Sequence, residues 1–258
     1  LWDERAREPL DERTVADPDT VSGPTSNAGD DERTPISVVT IASGRATHLH
    51  NLVRGLERQS RQPEELVVGV MQEQPYENLP ETRFPIRQVP IDGEGLPLAK
   101  ARNVVARHAA HDALVFLDVD CIPGPELVAE YADHLRAGAG LLMGEVLYLP
   151  EGCAGTTWTY AELERRGIRH DDRAGPPSAA VEPCDDYRCF WSLNFAIHRR
   201  DFDAAGGFDE GYEGYGGEDT DFGRTLAEKD IPIAWMRGGR VFHQYHTHRM
   251  PPVHHLES

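Results

Sequence analysis

The sequence predicts an α/β fold in which a mostly parallel central sheet is flanked by helices. Three observations predict it. Short β-branched runs of strand length alternate with segments whose apolar residues recur at helical spacing. The first two strands enclose one helix and so form a βαβ unit, whose crossover is right-handed. An acidic pair closes one of the apolar strands, at the kind of strand end where open α/β sheets bind ligands.

The alternation begins at Pro35. Ile36-Ser37-Val38-Val39-Thr40-Ile41 reads as a buried strand, and a Ser-Gly break leads to Leu49, Leu52, Val53 and Leu56 on one helical face. Leu66 to Val70 is the next strand. After a Pro-rich connection, Leu98, Ala101, Val104 and Val105 mark a helix ending near His108, and Leu114 to Leu117 is another short apolar strand. Pro125 and Glu126 suit the first turn of a helix carrying Leu127, Val128, Tyr131 and Leu135, stopped near Gly138. Leu141 to Leu149 reads as one strand, and residues 150–190 as a polar, turn-rich insertion around a short helix from Thr157 to Arg166. Ser192 to Ile197 is expected as a strand, Thr220 to Glu228 as a helix, and Ile233 to Trp235 and Arg240 to Phe242 as closing strands.

Domain organisation follows from composition. Residues 1–34 are acidic and poor in large apolar side chains, and they read as a disordered or loosely attached arm. Residues 35–248 form the expected domain, and 249–258 a C-terminal tail. With 258 residues the chain suits one substantial core. Its formal net charge of -18 argues against nucleic acid and against anionic membrane as partners. An anionic ligand would need a cation or a few placed arginines. No stretch approaches the roughly 18 to 20 apolar residues of a membrane span, so a soluble, cytoplasmic protein is expected. Cys121, Cys153, Cys184 and Cys189 match no zinc spacing and read as reduced thiols.

Four groups carry chemistry. In Leu117-Asp118-Val119-Asp120 a period of two would point both carboxylates to one side, where a divalent cation, Mn2+ or Mg2+, would reconcile them with each other and with a phosphate ligand. A turn capping the helix after Pro125 would use the same residues. Gly206-Gly207-Phe208-Asp209 and Tyr215-Gly216-Gly217-Glu218-Asp219-Thr220-Asp221 combine glycines that admit a close ligand with more carboxylates than a helix cap uses. The stretch Val241-Phe242-His243-Gln244-Tyr245-His246-Thr247-His248 offers imidazoles to a metal, with a solvated tail as the ordinary alternative. Lys100, Arg102 and Asn103, near a helix start, suit phosphate or ribose, although surface charge explains Lys100 equally well.

In this order the four groups resemble the family 2 glycosyltransferases. They are most similar to the branch whose acceptor-side region resembles that of the Golgi β-galactosyltransferases and polypeptide N-acetylgalactosaminyltransferases. The resemblance spans residues 35–248 and implies a GT-A, Rossmann-like nucleotide-diphospho-sugar transferase fold. It also implies an activity, the transfer of a sugar from a nucleotide diphosphate donor, a UDP-sugar, to a carbohydrate or other hydroxyl acceptor. Asp118-Val119-Asp120 matches the family's Asp-x-Asp motif. This makes Asp120 a metal ligand and Asp118 a ribose, sugar or metal contact, beside Val119 and the strand-end residues Thr40, Ala42 and Arg45. Tyr215-Gly216-Gly217-Glu218-Asp219 matches the Trp-Gly-Gly-Glu-Asp/Asn motif, which makes Tyr215 an aromatic platform beside Gly216 and Gly217. Glu218 would then orient hydroxyls, and Asp219 would be the catalytic base of an inverting enzyme. His243 matches the histidine that completes the metal site. Where family members carry Asp-Asp-Gly-Ser after the second strand, this chain reads Val70-Met71-Gln72-Glu73. A sugar nucleotidyltransferase and a non-catalytic nucleotide-sugar-binding module are the rival readings. The insertion, with Trp158, Tyr160 and Trp191, is the expected acceptor region, with aromatic core packing as its alternative.

Overall fold

A computed structural model describes residues 34–246 apart from positions 94, 139, 174, 213 and 215. Residues 1–33 of the expected arm, the C-terminal tail and Tyr215 lie outside the described residues. In chain order the elements are β1 (Ile36–Ala42), α1 (Ala46–Glu57), β2 (Glu65–Val70), β3 (Ile86–Pro90), α2 (Leu98–His108), β4 (Ala113–Leu117), β5 (Cys121–Pro123), α3 (Leu127–Ala137), β6 (Leu141–Met143) and β7 (Val146–Tyr148). They continue with α4 (Tyr160–Arg166), β8 (Val181–Pro183), β9 (Asn194–His198), α5 (Arg199–Ala205), α6 (Glu218–Glu228), β10 (Ile233–Met236) and β11 (Val241–His243).

The central sheet runs β3-β2-β1-β4-β9-β6-β10-β8. Its β3-β2-β1-β4 half is parallel, as the βαβ reading requires, and β6 pairs parallel with β10. β9 lies antiparallel between β4 and β6, and β8 antiparallel at the edge. Every residue of β1, β2 and β4 is buried, as expected for strands covered on both faces. Leu49, Leu52 and Leu56 of α1 and Leu127 and Tyr131 of α3 cover one face, against Val38, Leu66 and Val115. Ala101 and Val105 of α2, Phe202 of α5 and Phe222 and Leu226 of α6 cover the other, against Val39, Val67 and Phe116.

Two expectations are corrected. The single strand Leu141 to Leu149 is two strands in different sheets, because the chain squeezes through a tight passage at Gly144. A Cβ on that glycine would lie 2.3 Å from the Gly239 carbonyl oxygen and 2.5 Å from the Tyr131 hydroxyl. The second strand, β7, joins β5 and β11 in a three-stranded sheet of order β5-β11-β7. In the insertion, Trp158 is buried with Phe242, Leu147 and Leu163, and Tyr160 packs against the same cluster. These two rings are core, not acceptor surface. The short helix there starts at Tyr160, where Thr159 and Glu162 form a capping box.

A phenylalanine cluster fixes the relation of α6 to β4. Phe116 stacks on Phe195 of β9 at 4.5 Å, and Phe208 stacks on Phe222 of α6 at 4.3 Å. The turn carrying Phe208 is clamped by Asn103, whose amide donates to the Phe208 carbonyl at 2.8 Å and accepts from the Phe208 N–H at 2.9 Å. Among the described residues no helix is long and apolar enough to cross a membrane.

Gly207 in this turn has φ +75°, and a Cβ there would lie 2.6 Å from Asn103 Oδ1. Gly207→Ala therefore combines left-handed strain with a clash into the clamp. A loss of about 1–3 kcal/mol of unfolding free energy is expected in a denaturant titration.

Candidate active site at the carboxyl ends of β1 and β4

The strand β4 ends at Leu117, and Asp118-Val119-Asp120 lies in the turn that leads to β5. A turn does not keep the period of two, yet both residues border one cavity, while their carboxylates reach different partners. Asp118 accepts from Arg102 Nη2 at 3.4 Å. Asp120, almost wholly buried, turns toward the C-terminal strand and toward Arg45, whose Nη1 meets its Oδ2.

The register of the small sheet delivers His243 to Asp120. Cys121, the residue after Asp120, is the cross-strand partner of His243, and the Gln244 N–H donates to the Asp120 carbonyl at 2.7 Å. His243 Nε2 lies 3.4 Å from Asp120 Oδ1, and His246 Nε2 lies 3.4 Å from Asp120 Oδ2. Buried Gln244 pins this segment by accepting from Asn51 at 2.8 Å and donating to the His48 carbonyl at 3.2 Å. Trp158 Nε1 donates to the same Asn51 at 3.0 Å. The insertion thus braces the histidine segment from behind.

Asp120, His243 and His246 offer three donor atoms within 4.8 Å of one another. The chemistry suits a divalent ion, since one carboxylate and two imidazoles are ordinary ligands for Mn2+ and similar metals. Asp120 Oδ1 is also buried and accepts no hydrogen bond among the described residues, the signature of an acceptor built for another partner. Sequence reasoning named Asp120 and His243 but not His246. Asp118, named as a further ligand, is held by Arg102 and stands outside this group.

Beside the donor set lies a cavity of about 130 Å³, bordered by Ile41, Ser43, Arg45, Met71, Arg102 and Asp118 among others, with Val119 and Asp120 at its edge. Thr40 and Ala42, expected to contact the ligand, alternate onto the opposite face of β1, and Ile41 and Ser43 line the cavity in their place. Gln72, in the stretch that departs from the family's Asp-Asp-Gly-Ser, accepts from the Gly44 N–H at 2.8 Å, and the Tyr76 hydroxyl donates to the Gly44 carbonyl at 2.6 Å. The β1–α1 turn is thereby held open, with Arg45 at φ 48° presenting its side chain to Asp120.

Arg102 is the hub between the two halves of the site. Its side chain is 7% exposed, and Nη1 donates to Glu218 Oε1 at 3.0 Å. Glu218 Oε2 accepts from the Gly216 N–H at 3.0 Å. Both oxygens of Glu218, the residue expected to orient sugar hydroxyls, are thus engaged within the protein. Gly216 and Gly217 have φ of 104° and 89°, a backbone that favours glycine. α6 begins at Glu218, two residues before the expected Thr220, so Asp219 sits in its first turn and accepts from the Thr220 N–H at 2.7 Å. Asn103 is committed to Phe208 and Glu210, and half-buried Lys100 reaches the Asp92 carbonyl at 2.6 Å; neither lines the cavity.

Burial raises the pKa of Asp118 to about 7, with Asp120 and Glu218 adding to the rise against the pull of Arg102. Asp219 is also raised above the ordinary carboxylate range, by burial and then by Glu218, against a backbone hydrogen bond from Thr220 and the charge of Arg102. Burial is the larger cause in both cases, and the neighbouring carboxylates add to it.

Comparison with known proteins agrees with this architecture. Over 84% of this chain the fold superposes on 45% of the crystal structure of GalNAc-T7 with UDP, GalNAc and Mn2+, with a TM-score of 0.60 and 17% identity. It also superposes, over 83% of this chain and 60% of the other, on S. aureus TarS 1-349 in complex with UDP-GlcNAc, with a TM-score of 0.62 and 13% identity. The fold is that of the GT-A glycosyltransferases. The GT-A chain matches the family model described as the N-terminal domain of galactosyltransferase over residues 177–247, the stretch that carries Glu218, Asp219, His243 and His246. It is 28% identical to validoxylamine A glucosyltransferase of Streptomyces hygroscopicus subsp. limoneus over 78% of this chain. The same identity and coverage hold for the enzyme of the same name from Streptomyces hygroscopicus subsp. jinggangensis. The chain spans about half the length of these curated relatives, 50% and 53% respectively.

Mn2+ is expected to raise the melting temperature of the chain by binding the folded state alone, an effect worth about 2.7 kcal/mol at a hundredfold excess over Kd. Asp120→Asn and His243→Ala should each abolish the shift, and His246→Ala should weaken it. Differential scanning calorimetry with and without Mn2+ reads all three.

Proposed function

We propose that this chain is a metal-dependent glycosyltransferase that moves a sugar from a UDP-sugar to an acceptor hydroxyl with inversion at the anomeric carbon. The observation that carries this reading is a metal-competent set, Asp120, His243 and His246, whose Asp120 lines the same cavity as Arg102, the arginine that reaches Glu218 beside Asp219, a carboxylate raised in pKa at the start of α6. The likeness to structures with UDP, UDP-GlcNAc and Mn2+ supports the donor and the metal. The matching glucosyltransferases support the class of reaction.

Asp120, His243 and His246 would hold the metal, with Mn2+ or Mg2+ as the candidates. A divalent cation bound there offsets the negative charge that builds on the nucleoside diphosphate as it departs. The residues of the chain supply the rest. Arg45, partly exposed at the cavity edge, offers guanidinium donors to the diphosphate once it releases Asp120. Met71 and Ile41 give the cavity an apolar wall for the flat base. Asp118, fixed by Arg102, accepts from a ribose or donor-sugar hydroxyl. Asp219 takes the proton of the acceptor hydroxyl while its oxygen attacks the anomeric carbon. The bond from that carbon to the phosphate oxygen breaks with its electron pair going to the departing diphosphate. One displacement on the face opposite the leaving group inverts the centre. The raised pKa of Asp219 strengthens it as a base near neutral pH.

Asp219→Asn should reduce transfer at least about a hundredfold, the scale of a lost general base, with UDP binding unchanged. Nuclide-labelled sugar transfer and calorimetric UDP titration separate the two effects. Only ionised Asp219 accepts a proton, so the transfer rate should fall on acidification with a midpoint above the ordinary aspartate value. A midpoint near 4 would show that another group limits the rate.

A further inference from the structure

Arg173 lies between α4 and β8, outside the machinery described so far, and is 9% exposed. Its guanidinium sits 5.3 Å from the Trp191 ring and 5.1 Å from the Trp235 ring. Ring faces attract the charge but leave the in-plane N–H groups unused. Both Nη1 and Nη2 are buried and make no hydrogen bond among the described residues. The titratable groups that act on it most are Tyr148, Cys121, Tyr131 and Cys189, none of them a carboxylate, and burial holds its pKa below the ordinary arginine value. A buried guanidinium without an anion is costly, and such a group calls for a partner.

The place of Arg173 in the fold indicates where the partner comes from. Tyr148 contacts His243 at 4.9 Å between ring centroids on one side and His170 at 5.4 Å on the other. His170 meets the edge of Trp191 at 5.3 Å. Trp191 is followed by Ser192, whose backbone hydrogen-bonds Asp219. Arg173 is therefore linked through the Trp191 ring to the proposed base, and through Trp191, His170 and Tyr148 in turn to His243 of the metal-competent set. The cavity beside it, which Glu145, Arg169, His170 and Trp235 also line, has a volume of only about 20 Å³, and Glu145 is already paired with Arg240 at 2.7 Å. That space is on the order of one or two waters, which the oxygens of a flat terminal group would displace, and it excludes a whole sugar ring.

Resting on the transferase reading above, we propose that Arg173 anchors an acceptor subsite for a carboxylate, so that the acceptor is a sugar acid. A carboxylate is planar, matches the guanidinium fork with two parallel hydrogen bonds, and fits a narrow slot beside the Trp235 indole better than a tetrahedral phosphate does. Arg173 is in this sense a specificity-determining residue, and Trp191 is the platform on which the ring of the acceptor rests.

The test is calorimetric titration of the full chain with Mn2+ and UDP, followed by D-glucuronate, D-glucose or glucose 6-phosphate in parallel cells, on the wild type and on Arg173→Met and Arg173→Lys. Glucuronate should bind at least about tenfold tighter than glucose, a difference of about 1.4 kcal/mol. The preference should vanish in Arg173→Met and be reduced in Arg173→Lys, which keeps the charge and loses the fork. Without sugar, Arg173→Met should melt at or above the wild-type temperature, because it removes an unpaired buried charge at similar volume. Equal binding of glucuronate and glucose overturns the proposal, as do a preference that survives Arg173→Met, tighter binding of glucose 6-phosphate, or a lowered melting temperature of Arg173→Met, which would make Arg173 a scaffold residue. UDP binding without a glucuronate preference defeats this inference alone, whereas absence of UDP binding defeats the transferase reading beneath it.

Discussion

The site depends on one buried cation. Arg102 reaches Asp118 at the end of β4 with one nitrogen and Glu218 at the start of α6 with another, and its guanidinium lies 5.3 Å from the Phe208 ring. Without it, Asp118, Glu218 and Asp219 would face one another in a buried space with no charge between them, and like carboxylates at that range repel strongly. The bridge ties the parallel half of the sheet, which forms the cavity, to the helix that carries the proposed base. The phenylalanine cluster beneath it supplies the rigidity, and Asn103 supplies the geometry of the turn. Charge pairing and aromatic packing thus act on the same joint.

A second assembly closes the other side. His243 and His246 belong to the end of the described chain, and two devices seat them: the pairing of β11 with β5, and the contacts of Gln244 with Asn51 and with the His48 carbonyl. Trp158, from the insertion, supports Asn51. The insertion therefore helps to build the metal-competent set, while its other arm, with His170 and Arg173, leans on Tyr148 and Trp191. The carboxylates of Asp118, Asp120 and Asp219 gather around two arginines, and Arg45 meets Asp120 in the structure.

Much of this was legible in the sequence because it was written in local signals. β1 and β2 are rich in β-branched residues and β4 is a continuous apolar run, α1 to α3 have clean apolar stripes, and the glycines before Glu218 mark a backbone of positive φ. Asp120 and His243 stood out by position relative to strands. What stayed hidden was set by tertiary register. His246 is one of several histidines in the closing segment, and only the seating of Gln244 distinguishes it from its neighbours. That Asp118 pairs with Arg102 and Asp120 with Arg45 is set by the turn after β4, which a period of two cannot reveal. Glu218 and Asn103 looked like ligand contacts because their types suit ligands, yet the folded chain uses both internally. Arg173 carries no sequence signal at all, since its meaning lies in the absence of a partner once Trp191 and Trp235 close around it.

The central claim is that one metal, held by Asp120 and the two histidines, sits between the β1–β4 cavity and α6. Anomalous diffraction at the manganese edge, from crystals grown with Mn2+ and UDP, tests it most directly. The account predicts a single strong peak within bonding distance of Asp120, His243 and His246, with the diphosphate on its open side toward Arg45. A peak at another carboxylate cluster, or UDP bound in the cavity with no peak at these three residues, would contradict it.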